Sequence, residues 1–173
     1  MKKWLSFLGA ITLLGTSTTS LVACNNIPQY NEDELQQLKK ENQIDTNYQE
    51  IKDNLEWIAP QEKPFNEVDN KYYFVVWRSD KNDDWKIIKF NNNEKIKRWH
   101  PKTLDVQNNI KLCLTNYAEI PIDIDLSIDA STINRWKNDN GTYIKSVYRW
   151  NGEEQKLPYL VVDSCGDVKV NSE

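Results

Sequence analysis

From Ile122 to Asp129 apolar and polar residues alternate without a fault, reading Ile-Asp-Ile-Asp-Leu-Ser-Ile-Asp. A period of two belongs to a strand, because successive side chains leave a pleated backbone on opposite faces. Ile122, Ile124, Leu126 and Ile128 therefore share one face, and Asp123, Asp125, Ser127 and Asp129 share the other. Such a strand needs an antiparallel sheet with a core on one side, and its carboxylate side is expected to face water.

Other segments supply the rest of a sheet. Tyr72 to Trp77 is aromatic and β-branched, Ser79 to Asp84 is a polar loop, and Trp85 to Phe90 reads as the returning strand of a hairpin. Ile110 to Asn116 and Thr142 to Trp150 are further strands. Asn151-Gly152 has hairpin chemistry, since both residues tolerate positive φ, and it predicts a pairing of Thr142–Trp150 with Leu157–Val162. Val168 and Val170 suit a last edge strand.

Residues 47 to 58 carry the clearest helical pattern. Tyr48, Ile51, Leu55 and Ile58 recur at helical spacing, Thr46 with Gln49 suits the start, and Pro60 drives residue 59 out of the helical region. Residues 24 to 46 are polar. Asn31 and Glu34 have the spacing of a capping box, but only Leu35 and Leu38 could anchor a helix, so the stretch reads as a tether that is at most partly helical. The expected fold class is α+β: a single domain over 47–173, with an N-terminal helix packed on a mostly antiparallel β-sheet.

The leader is equally distinctive. Met1-Lys2-Lys3 is positive, Trp4 to Leu14 is an apolar run of 11 residues, and Gly15 to Ser20 is small and polar. That run falls short of the roughly 20 residues needed to cross a bilayer, so residues 1–23 read as a secretory signal. Leu21-Val22-Ala23-Cys24 closes it. This stretch resembles the lipobox of bacterial lipoproteins, in which the cysteine sulfur takes a diacylglycerol before the leader is removed. The resemblance implies cleavage before Cys24, a covalent lipid as the only prosthetic group, and attachment to the extracellular face of the cell membrane. Two acyl chains suffice for stable anchoring where one is marginal. The Asn-rich body, with 20 Asn, and segments such as Val75-Val76-Trp77-Arg78 and Val147-Tyr148-Arg149-Trp150-Asn151-Gly152 are similar to the mollicute (spiroplasma-type) surface lipoproteins. That family has no agreed activity to transfer.

Charge narrows the partners. The chain carries a net charge of −4, which becomes −6 once Lys2 and Lys3 leave with the signal. Ile96-Lys97-Arg98-Trp99-His100 is its most basic stretch and is short, so no nucleic acid is expected as partner. Seven Trp, eight Tyr and four Phe can fill a substantial core. Trp77, Trp85 and Trp150 fall in expected strands. Trp99 and Trp136 stand between charged neighbours and form the candidate contact patch for a protein or saccharide ligand.

Candidate chemistry is sparse. His100 is the single histidine, and no nucleophile elbow, zinc-binding helix or phosphate loop is present. A small exported enzyme would have to pair His100 with Cys113 or Cys165. Those two cysteines are a candidate disulfide in an exported protein, or else two separate thiols. Asp123, Asp125 and Asp129, two or four residues apart on one strand, do not curl round an ion as a calcium cage does, and Asp80, Asp83 and Asp84 read as a wet loop; no metal is expected. The reading is a non-enzymatic, lipid-anchored, outward-facing module that works by contact with host or envelope molecules, against the alternatives of an enzyme using His100 or a ligand-free coat protein.

Overall fold

The structure is a computed structural model that describes residues 29–117, 121–129 and 131–171. The signal, the lipobox residues Leu21, Val22 and Ala23, and Cys24 lie outside the described residues. Ten strands, numbered in chain order, form three antiparallel sheets. The central sheet holds β1 (Leu55–Trp57), β2 (Tyr72–Trp77), β3 (Lys86–Asn91) and β8 (Ile144–Trp150) in the order β1-β8-β2-β3. The second sheet is a meander of β4 (Lys102–Gln107), β5 (Ile110–Thr115), β6 (Asp123–Ile128) and β7 (Ser131–Arg135). β9 (Leu160–Val162) and β10 (Val168–Val170) make a two-stranded ribbon.

The central sheet is covered on both faces. Tyr73, Val75 and Trp77 of β2 meet Leu112, Leu114, Ile124 and Leu126 of the second sheet in one core. Phe74 and Val76 point the other way and join Ile44, Ile51, Leu55, Tyr148, Trp150, Val168 and Val170 in another. That is why Tyr72–Trp77 is an unbroken apolar run: a strand buried on both faces has no polar phase.

The α+β expectation is overturned. The described residues are mostly antiparallel sheet, and the one substantial helix among them, α1, spans Glu32–Glu41. It occupies the stretch read as tether. The capping box forms as its sequence predicts: the Asn31 side chain accepts from the Glu34 N–H, and Glu34 returns a bond to the Asn31 N–H. No residue of α1 is buried, but Lys39 pairs with Glu56 and Glu62, and Ile44 and Thr46 are buried behind it. Residues 29–46 are thus packed on the body.

The expected helix over 47–58 shrinks to α2 (Gln49–Asn54), and its second half becomes β1. Leu55, Glu56 and Trp57 pair with Trp150, Arg149 and Tyr148 of β8. Leu55-Glu56-Trp57 also alternates, and edge pairing outweighs the helical period. Ile51, Leu55 and Ile58 are buried as predicted, while Tyr48 is exposed.

Asn151-Gly152 is not a hairpin either. β8 is already paired on both edges, by β1 and β2. The chain instead runs through a 3-10 turn at Glu154–Lys156, and β9 pairs with β10. The hairpin turn of that kind is Asn108-Asn109, which joins β4 to β5 with both residues left-handed, at φ 49° and 65°. Asparagine is the non-glycine residue best suited to those angles.

Candidate binding surface

The outer face of the second sheet carries the polar residues that its inner face lacks. Thr103, Cys113, Asp125 and Arg135 stand in one cross-strand row over β4 to β7. Their closeness follows from register alone, since residues opposite one another in a ladder lie about 5 Å apart. The Cys113 thiol sits 3.6 Å from the Thr103 hydroxyl and 3.8 Å from that of Ser127.

The expectation that the β6 carboxylates face water fails. Asp125 is wholly buried and Asp123 is 6% exposed. Asp125 Oδ2 accepts from the Thr132 hydroxyl at 3.2 Å and lies 3.5 Å from Arg135 Nε. Asp125 Oδ1 is buried with no hydrogen-bond partner among the described residues. Burial pushes the Asp125 carboxyl up, against the pull of the Arg135 guanidinium. Asp123 accepts from the backbone N–H of Lys137 at 3.3 Å and of Ile124 at 2.9 Å. Its burial still outweighs those bonds and raises it to about 6. Ile128, expected inside, is instead exposed at the strand end.

At the edge of this face is an exposed aromatic corner. Arg135 lies over the Tyr117 ring at 5.0 Å, the Tyr117 hydroxyl is 3.3 Å from that of Thr132, and the Trp99 ring meets Tyr117 at 5.3 Å and 54°. The turn that carries Trp99 is closed by His100 N–H donating to the Lys97 carbonyl, and Trp99 N–H donates to Asn116 O. Asn116 Nδ2 donates in turn to Ile96 O at 2.8 Å. In this turn Trp99 takes φ 62°, the left-handed region where a turn favours glycine. It is nevertheless 60% exposed. A bulky residue held there costs of order 1 kcal/mol.

Of the two tryptophans in the predicted patch, only Trp99 is on the surface. Trp136 is 5% exposed and packs against Phe65 inside the sandwich; it opens a 3-10 turn, Trp136–Asn138, that Arg135 caps and that contains Lys137. The sequence did not reveal Tyr117, Arg135 and Asp125 as members of the site, because strand pairing alone brings them together. Cys113 and Cys165 are both free, the first buried in the second sheet and the second exposed in the β9–β10 turn, so the candidate disulfide is not formed. His100 is exposed, with Nδ1 donating to the Arg98 carbonyl at 2.8 Å. The Asp80–Asp84 loop is tied by its own bonds: Ser79 to Asp83, and Asn108 Nδ2 to Asp83 Oδ2 at 2.9 Å. Among the described residues no group of three or more His, Cys, Asp or Glu is arranged to hold a metal ion.

A cleft of about 530 Å³ lies on the other side of the central sheet, where Asn42, Ile44, Lys145, Tyr148 and Val168 line it.

No protein family, curated protein or solved structure matches this chain. The site must therefore be read from its own chemistry. It offers an aromatic ledge, a guanidinium and exposed cations for non-covalent contact.

Proposed function

We propose that this protein is a lipid-anchored, outward-facing surface module whose work is non-covalent contact through the Trp99–Tyr117 corner. The carrying observation is that Trp99 is kept both exposed and left-handed. Neither feature serves the fold, and strain retained at a surface aromatic is a mark of binding. The leader chemistry at Leu21-Val22-Ala23-Cys24 supports the membrane address. Among the described residues no helix is long and apolar enough to cross a membrane, so a span there does not compete with the lipid as the means of attachment.

Two measurements test the reading. Intact mass and detergent partitioning of the native protein should give a chain that begins at Cys24, carries diacylglycerol and enters the detergent phase; a full-length mass in the aqueous phase would overturn the anchor. Binding of protein freed of its lipid to membrane vesicles and to immobilised glycans should weaken at least about tenfold in Trp99→Ala, the scale of an aromatic hot spot. Equal binding by both proteins would remove Trp99 from the role.

A further inference from the structure

The Trp99 corner occupies a particular end of the molecule. Tyr30, near the start of the described chain, donates its N–H to Gln61 Oε1 at 2.7 Å, and its carbonyl accepts from Gln61 Nε2 at 2.9 Å. Gln61 lies in the 3-10 turn Pro60–Glu62, and Pro60 lines one small cleft with Pro121, Lys63 and Lys137. Pro121 is four residues beyond Tyr117, a separation of at most about 14 Å. Cys24 is six residues before Tyr30, a reach of at most about 20 Å. The start of the described chain therefore lies on the side that carries Pro121, and six residues give Cys24 enough chain to let the aromatic corner reach the bilayer.

Positive charge is concentrated locally at the corner. Lys95, Lys97 and Arg98 are exposed around Trp99, and none of them joins an ion pair among the described residues. β4 and β5 run from this end, where Lys102 and Thr115 lie, to the Asn108-Asn109 turn at the other. That turn is bonded to the acidic Asp80–Asp84 loop. Exposed Glu32, Asp33 and Glu34 follow Tyr30, so the cations are a local cluster about Trp99, and the acidic Asp80–Asp84 loop sits at the far end of β4 and β5. Tryptophan among Lys and Arg is the side-chain set that settles at headgroup level, and anionic lipid attracts such cations only within a Debye length.

We propose that the Trp99 corner docks on the anionic headgroup surface of the bilayer that holds the Cys24 lipid, with the Trp99 indole in the interface and Lys95, Lys97 and Arg98 facing phosphates. This deepens the anchored-module reading and rests on it. The domain then stands in a fixed orientation, its Asp80–Asp84 loop turned away from the membrane. The lipid and the ledge act as two linked attachments, so the second engages at the high effective concentration set by the first.

The test places the native protein in vesicles of phosphatidylcholine and phosphatidylglycerol with brominated acyl chains. Bromine should quench native tryptophan emission, and Trp99→Phe, which keeps an aromatic ring, should lose that quenching. Replacing Lys95, Lys97 and Arg98 together by Gln should lose it too, as should about 1 M salt, which shortens the Debye length to about 3 Å. Equal quenching of native protein and Trp99→Phe would overturn the docking, as would full quenching in phosphatidylcholine alone, or Trp99-dependent capture of a glycan with no quenching. The anchor is read separately, from whether Trp99→Phe stays with the vesicles on flotation. Should the native protein prove unlipidated, it is added to the same vesicles from outside, and quenching through Trp99 or its absence decides the docking by itself.

Discussion

β2 and β6 are both buried on both faces, yet they are built from opposite materials. β2 presents Tyr73, Val75 and Trp77 to one core and Phe74 and Val76 to the other. β6 presents Ile124 and Leu126 inward, and on its outer face it hides Asp123 and Asp125 under Arg135, Thr132 and the start of the Trp136–Asn138 turn. Apolar burial stabilises without conditions on geometry, whereas a buried carboxylate is tolerated only where donors meet it. A strand hidden by polar neighbours is therefore tunable by pH and by single partners. A strand hidden by hydrocarbon is not.

The comparison is broken most violently at β2. Trp77 is fully buried, and its indole N–H donates to Asp105 Oδ2 at 3.1 Å. Trp77→Ala should cost about 3–5 kcal/mol in urea unfolding, with little dependence on pH. A loss under about 1 kcal/mol would mean that the two cores are not as tightly joined as their packing indicates.

At β6 the effect should be smaller and should titrate. Asp123 rises from 3.8 to about 6 in the folded state. A raised folded pKa gives stability that is fully present below the unfolded value and is lost as pH climbs through the folded one. Asp123 alone should thus remove about 2–3 kcal/mol between pH ~4 and ~7. Glu56 works in the reverse direction. Burial would raise it, but Lys39, Asn151 and Arg149 hold it at about 2, so its stabilisation is present above 4.5 and fades on acidification. From these two groups stability should peak at pH ~4, between the unfolded values of Asp123 and Glu56, and fall on either side. Asp123→Asn should flatten the alkaline side of that peak and gain about 1–2 kcal/mol at pH 7. An unchanged slope in the variant would show that the carboxyl is wetter than its 6% exposure implies.

The mildest test lies at the edge of the same face. Trp99→Gly removes a left-handed tryptophan from a turn that favours glycine. It should leave the fold as stable as before, or firmer by about 1 kcal/mol, while quenching by brominated lipid is lost. A destabilisation of the same size would place Trp99 among the packing residues.

Much of the sheet was legible, and the reasons are physical. The β2–β3 hairpin, β5, β6, β8 and β10 all follow from period and composition, because each is rich in β-branched and aromatic residues or alternates at period two. β4 (Lys-Thr-Leu-Asp-Val-Gln) and β7 (Ser-Thr-Ile-Asn-Arg) did not stand out: each is an outer strand of the meander, and each carries a register shift that breaks the alternation. The alternation in β6 reported polarity faithfully but not exposure, since burial of Asp125 depends on Thr132 and Arg135 arriving from β7. Helix was misplaced for a related reason. Ile51, Leu55 and Ile58 are buried whether the chain coils or extends, so their spacing could not reveal that β8 had an edge to fill. Of the site, Trp99 and its basic neighbours were visible in the chain, while the ring and guanidinium beside it were not.

The two thiols differ in one respect that reaches beyond the fold. Cys113 is shut between Thr103 and Ser127, and Cys165 stands open in the turn after β9. A maleimide offered to the folded protein should find Cys165 and pass over Cys113. The stoichiometry then counts the remaining sulfur: one label per chain means that Cys24 is already occupied, and two means that it is bare.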